Sequence, residues 1–178
     1  ADTPQRKHAA IHEVVGEYPA IFEEAGRVPQ DFFRFGVMRE PLDWLGSWFR
    51  YRKGNTVASP LPADMDFAAF WAQGDWNIRN GRGKAYLQRR LFCDAQDALD
   101  IDVIIPYERL SAVFGEICDH LGIAVPLQRV NVSKLSEFAL PEAVAAEGRA
   151  HLAPDYALYN QLDEINAKGM AKLAEMTR

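Results

Sequence analysis

The sequence predicts an α/β fold that has few strands for a chain of 178 residues. Two short apolar runs, residues 32–38 and 101–105, have the length and composition of buried strands in a parallel sheet. Between and after these runs, apolar residues recur at helical spacing. Strands that alternate with helices are typical of an α/β sheet. The length suits one domain, and we expect residues 1–178 to form it.

Two helices of the first half can be delimited from their residues. Residues 9–25 have helical spacing, and Pro19 is the point at which this helix can break. After the first strand, Pro41 stands where a first helical residue is expected, and Gly54 stands where a helix should end. These two residues predict a helix of about three turns.

The rest of the chain divides at turn-forming residues and at changes of apolar spacing. The predicted elements are a loop at 54–66, a short helix from Phe67, an irregular stretch at 72–83, a helix at 84–98, a helix at 110–121 that Gly122 ends, a polar-interleaved segment at 130–134, and helical sequence from Pro141 with a loop at 153–155. The strand at 101–105 precedes the helix at 110–121 and ends at Pro106.

Composition and charge exclude several classes of protein. No apolar run approaches the roughly 20 residues that span a bilayer, and the polar first residues do not form a secretory signal. Cys93 and Cys118 lack metal-ligand spacing, so we expect two small buried side chains, no metal site and a reducing cytoplasmic setting. The net charge of −5 argues against a nucleic-acid partner.

Positive charge is concentrated in two places. Arg50, Arg52 and Lys53 lie close together, and residues 79–90 contain five cations and no acid. Local cationic patches on an acidic protein suit a small polyanionic ligand. For any single residue, ordinary solvated surface charge remains an equally good interpretation.

The segment from the first strand into the next helix contains a candidate phosphate site. Ligands gather beyond the carboxyl ends of parallel strands, and a helix N-terminus offers N–H donors and partial positive charge to a phosphate. Arg39 lies at this point and adds a fork of donors.

Within the helix, Asp43, Ser47 and Arg50 share a polar stripe. A second face is apolar and carries Leu42, Leu45, Gly46 and Phe49, and Trp44, Trp48 and Tyr51 occupy the third arc. Ser47 can therefore bind a ligand phosphate, or its hydroxyl can bond back to a carbonyl one turn earlier. Similarly, Arg39 can bind the phosphate or pair with an acid.

Residues 35–48, FGVMREPLDWLGSW, resemble the sulfotransferase pattern of a hydrophobic strand, Arg-x-Pro, and a Ser eight residues after the Arg. The resemblance implies that Arg39 and Ser47 hold the 3′-phosphate of 3′-phosphoadenosine 5′-phosphosulfate. Four later segments resemble family elements in the same order: DVIIPYERL at 102–110, HLGI at 120–123, NVSK at 131–134 and DYALY at 155–159. The NVSK segment is similar to the Asn-x-Ser element of the bacterial and Golgi-type branch, which implicates Ser133 in donor binding. Lys134 either reaches a phosphate or is solvated.

The family resemblance implies a P-loop-like parallel sheet flanked by helices, with a phosphosulfate loop after its central strand. RKHAA at 6–10 resembles the segment that lies downstream of this loop in bacterial members. We therefore expect the N-terminal strand and the loop to be missing from this chain and to precede Ala1. GRGK at 81–84 has suitable residue types but no apolar strand before it.

The expected function is transfer of a sulfuryl group from this donor to a hydroxyl or amine of a small-molecule, lipid or glycan acceptor. The transfer is an in-line displacement that requires no metal. His8 is the candidate base, because imidazole titrates near neutral pH, and Lys7 can stabilise the bridging oxygen. A surface position for His8 is the alternative.

Two other functions stay open. One is a non-catalytic sulfotransferase-like domain that binds a nucleotide bisphosphate or a protein partner. The other is a phosphoryl-transfer enzyme, which would need a P-loop of its own. The acceptor and the oligomeric state cannot be read from the residues.

Overall fold

A computed structural model describes residues 9–24, 26–54, 60–74, 87–127 and 140–178 of the chain. The described residues fall into two compact units. The first unit comprises the segments Ala1–Met38, Leu87–Ala124 and Asn160–Arg178. The second unit comprises Arg39–Tyr86 and Val125–Tyr159. The single domain predicted for residues 1–178 stays a prediction.

The sheet lies in the first unit and has two parallel strands among the described residues. Strand β1 is Phe35–Met38 and strand β2 is Val103–Pro106, with Phe35 opposite Val103. Helices accompany this sheet, so the chain is mixed α/β as expected. Both predicted strands exist, although β1 begins three residues later than the apolar run 32–38 and β2 includes Pro106.

The core of the first unit is formed by β2 with helices α5 (Leu110–Leu121) and α8 (Leu162–Met176). Its fully or almost fully buried side chains are Val103, Ile105, Val113, Ile117 and Leu173. Helix α5 ends as predicted, because Gly122 adopts the left-handed conformation (φ 63°) that favours glycine after a helix.

Helix α8 lies directly against β2. The buried Asn166 amide donates to the Ile104 carbonyl and accepts from the Ile104 N–H, both at 2.8 Å. A Cβ on Gly169 would lie 2.0 Å from the Asp102 carbonyl oxygen. The helix backbone therefore approaches the strand more closely than any side chain at position 169 would allow.

The N-terminal helical segment is interrupted at Pro19, as the sequence suggested. Helix α1 is Ile11–Glu17 and helix α2 is Ala20–Glu23. Both cysteines are free and buried, which confirms that Cys93 and Cys118 are small buried side chains.

The helix predicted at 84–98 is wrong over its described part. Only a short 3-10 helix, Gln88–Phe92, forms, and Cys93 then pairs with Leu99 in an isolated antiparallel bridge. The Asp94 carboxylate accepts the N–H groups of Gln96 and Ala98, both at 2.9 Å. A side chain that binds local backbone donors in this way competes with a helix.

The second unit is helical in its described part. Helix α3 is Pro41–Gly54, with both ends as predicted, and helix α4 is Phe67–Ala72. The predicted apolar face of α3 is buried at Leu42, Leu45, Gly46 and Phe49. The Phe49 ring lies 5.3 Å from the rings of both Phe67 and Phe70.

Helices α6 (Glu142–His151) and α7 (Ala153–Tyr159) complete the second unit. The loop predicted at 153–155 is wrong, because the break falls at Leu152 and Pro154 lies within the first turn of α7, where its missing N–H is tolerated. The Trp71 indole of α4 donates to Glu147 Oε2 at 2.7 Å.

Across the described residues, no helix combines the length and the apolar character that a membrane span requires. The predicted segment at 130–134 lies outside the described residues, as does most of the stretch at 72–83.

Candidate anion-binding site

Arg39 is the first residue after β1 and precedes α3. Its Nε lies 2.8 Å from Asp43 Oδ2, and 22% of its side chain is exposed. Of the two interpretations that the sequence left open for Arg39, pairing with an acid is therefore present. Both residues belong to the second unit.

Arg50 approaches the same carboxylate from the other side. Its Nη2 lies 3.4 Å from Asp43 Oδ1, and 21% of its side chain is exposed. Each oxygen of Asp43 thus faces one arginine. Arg50 was visible in the sequence as part of the polar stripe, but neither its spacing nor the family pattern assigned it to the site.

Ser47 lies on α3 between these charges. Asp43, Ser47 and Arg50 are spaced i, i+4 and i+7, so they share one face of the helix. Ser47 is half-buried. Within the described part of the chain, its hydroxyl makes no bond back to a carbonyl one turn earlier.

The N-terminus of α3 differs from the expectation of unpaired N–H donors. The Asp43 N–H donates to Glu40 Oε2 at 2.7 Å. The Trp44 N–H donates to the Glu40 carbonyl at 2.8 Å. Pro41, the first residue of α3, has no N–H. Glu40 therefore caps α3 at the Asp43 N–H, which is not free for an anion.

Tyr156 joins α7 to this cap. Its hydroxyl donates to Glu40 Oε1. Burial, the hydrogen bond to Glu40 and the charge of that carboxylate together raise the pKa of Tyr156 to about 12. The phenol is therefore a permanent donor at neutral pH. Its partner lies 116 residues away in sequence, which no local pattern could indicate.

An aromatic pair lies on the third arc of α3. The Trp48 and Tyr51 rings stack with centroids 5.9 Å apart, and the Arg52 guanidinium lies 6.0 Å from the Trp48 ring centroid. The Trp48 indole N–H is buried and has no hydrogen-bond partner among the residues that the structure describes.

The other residues predicted for the site, Lys7, His8, Ser133 and Lys134, lie outside the described residues. Among the residues that are described, no group of three or more His, Cys, Asp or Glu side chains is arranged to hold a metal ion. No family model, curated protein or solved structure matched the chain. The sulfotransferase resemblance therefore rests on the motifs quoted above.

Proposed function

We propose that this chain is part of a sulfotransferase that moves a sulfuryl group from 3′-phosphoadenosine 5′-phosphosulfate to a hydroxyl or amine. The acceptor is a small molecule, a lipid or a glycan. One observation carries the proposal: the guanidinium groups of Arg39 and Arg50 contact the two oxygens of the Asp43 carboxylate, one helical turn before Ser47 on the same face of α3. Two arginines and a hydroxyl are a donor set suited to a phosphate.

The donor's 3′-phosphate fits this site through side chains. Arg39 offers charged donors, and Ser47 lies on the same face of α3 as Asp43, the residue that Arg39 contacts. The helix N-terminus contributes charge but not the Asp43 N–H, since that group donates to Glu40. A P-loop-like sheet belongs to this proposal, and the parallel pairing of β1 with β2 supports it.

The chemistry would need a base and a cation. When bound, the donor supplies the sulfuryl group on a phosphate leaving group. His8 is assigned to accept the proton of the attacking hydroxyl or amine, and Lys7 to neutralise charge on the oxygen that leaves. Ser133 and Lys134 are assigned to hold the donor. These four assignments rest on the sequence alone.

Isothermal titration calorimetry can test the donor site. The chain should bind 3′,5′-adenosine bisphosphate more tightly than adenosine 5′-monophosphate, which lacks the 3′-phosphate. Arg39→Ala should weaken the binding free energy of 3′,5′-adenosine bisphosphate by about 1.5–3 kcal/mol. The affinity for adenosine 5′-monophosphate should stay unchanged. Arg109→Ala, which removes an exposed arginine of the first unit, is the matched control. Equal affinity for the two nucleotides would contradict the proposal.

A non-catalytic domain that binds a nucleotide bisphosphate is the second candidate. It is favoured because Arg39, Ser47 and Arg50 suffice for phosphate binding, whereas transfer also requires the base and the cation that rest on the sequence alone. Binding of 3′,5′-adenosine bisphosphate without donor turnover would identify this alternative.

A further inference from the structure

We infer that Arg50 is a second phosphate ligand and that Asp43 is the internal counter-ion that a bound phosphate displaces. This inference rests on the proposed function for the identity of the phosphate, which is the 3′-phosphate of an adenosine nucleotide. It adds a ligand and a means of selectivity to that site. Neither follows from the pattern of Arg39, Pro41 and Ser47.

The geometry of Asp43 defines where an anion would bind. Its Oδ2 lies 2.8 Å from Arg39 Nε and its Oδ1 lies 3.4 Å from Arg50 Nη2. The carboxylate thus places two oxygens where each meets a different guanidinium group. Two oxygens of a phosphate can take the places of the two carboxylate oxygens, and a phosphate carries more charge. It can therefore replace the carboxylate at both arginines.

Exposure favours this displacement. The Asp43 side chain is 49% exposed, whereas Arg39 and Arg50 are 22% and 21% exposed. The acid therefore lies on the solvent side of two arginines that are mostly covered. Water can solvate the released carboxylate, which lowers the free-energy cost of breaking the two ion pairs. The helix need not change, since Glu40 holds the Asp43 N–H independently of the side chain.

Charge gives the exchange its selectivity. A terminal phosphate carries between 1.5 and 2 negative charges at pH 7, with its second pKa at about 6. It can match two arginines, whereas a phosphodiester carries a single charge and competes less well with Asp43. The site should therefore select a phosphate monoester. Asp43 excludes weaker anions by occupying the same donors.

The test uses calorimetry with 3′,5′-adenosine bisphosphate and, separately, inorganic phosphate. Asp43→Asn keeps the shape of the side chain and removes its charge, so both probes should bind roughly three- to ten-fold more tightly. Arg50→Gln should weaken both by about ten-fold or more. Asp163→Asn, which breaks the exposed pair with Arg109, is the control and should change neither affinity. Circular dichroism and thermal unfolding verify that each variant is folded.

The outcomes separate this inference from the proposed function. If the bisphosphate binds but Asp43→Asn and Arg50→Gln leave its affinity unchanged, the inference is wrong and the proposed function stands. If the bisphosphate binds no better than adenosine 5′-monophosphate while both variants shift phosphate binding as stated, the anion site stands and the proposed function is wrong. If neither the wild type nor any variant binds either probe, the inference and the proposed function are both wrong.

Discussion

Glu40 and Tyr156 together close the N-terminus of α3. The Tyr156 hydroxyl donates to one oxygen of the carboxylate, and the other oxygen accepts the Asp43 N–H at 2.7 Å. An acid next to Arg39 would ordinarily compete with an anionic ligand. Here Glu40 already has two neutral donors, and this keeps the carboxylate engaged with the helix cap and with α7.

Removal of this phenol should destabilise the protein. Tyr156→Phe leaves Glu40 with one donor fewer. We expect a loss of about 1–2 kcal/mol in the free energy of unfolding, measured by urea titration at pH 7. Tyr18→Phe changes a hydroxyl outside this cap and should cost less than about 0.5 kcal/mol. Equal losses in the two variants would show that the Tyr156 hydroxyl contributes no more to stability than the Tyr18 hydroxyl.

The raised pKa of Tyr156 predicts a dependence of stability on high pH. The folded protein keeps this proton up to about pH 12, whereas the unfolded chain releases it near its ordinary value of 10.0. The stabilisation is therefore complete below pH 10 and is lost as the pH rises toward 12. Absorbance titration at 295 nm should show one tyrosine ionising late, and Tyr156→Phe should abolish that phase. Titration of every tyrosine near pH 10 would contradict the assignment.

Local signals were sufficient for α3 but not for residues 84–98. Pro41 and Gly54 mark helix ends through their own backbone preferences, and the structure agrees at both positions. At Asp94 the apolar spacing predicted a helix, but the carboxylate takes the N–H groups of Gln96 and Ala98 instead. Apolar spacing contains no information about that competition.

The site shows the same division between local and tertiary information. Arg39 could be selected from its position at the end of a strand, and its pairing with an acid was one of the two interpretations. Arg50 lay on the predicted polar stripe, but its contact with the carboxylate that Arg39 also contacts is visible only in the folded structure. Tyr156 belongs to a helix far along the chain, so its contact with Glu40 depends on tertiary packing.

Turnover offers a direct test of the predicted base. If His8 accepts the proton of the attacking group, His8→Ala should reduce turnover by about 10²- to 10⁴-fold while the affinity for 3′,5′-adenosine bisphosphate stays the same. Sulfuryl transfer from the donor and calorimetry measure the two quantities separately. His120→Ala, on the exposed C-terminal turn of α5, is the control. Full turnover in His8→Ala would exclude this residue as the base.

The amide of Asn166 should contribute strongly to stability. Asn166→Leu would leave the N–H and the carbonyl of Ile104 without their 2.8 Å partners in a buried strand. Because unsatisfied buried groups are costly, we expect a loss of about 2–4 kcal/mol in the free energy of unfolding. Asn160→Leu makes the same change at an exposed position and should cost less than about 1 kcal/mol. Similar losses would mean that the strand does not depend on this amide.

Two glycine substitutions should have opposite effects. Gly169→Ala would place a Cβ 2.0 Å from the Asp102 carbonyl oxygen, so α8 must move away from β2 and stability should fall by more than about 2 kcal/mol. Gly115→Ala, in α5, meets nothing within 4 Å and should stabilise the protein by about 0.5–1 kcal/mol through helix propensity. Thermal and urea unfolding of both variants measure the difference. The Asp102 carbonyl belongs to the backbone, so it cannot rotate out of the way as a flexible side chain can. If Gly169→Ala left stability unchanged, α8 would not pack this closely on β2.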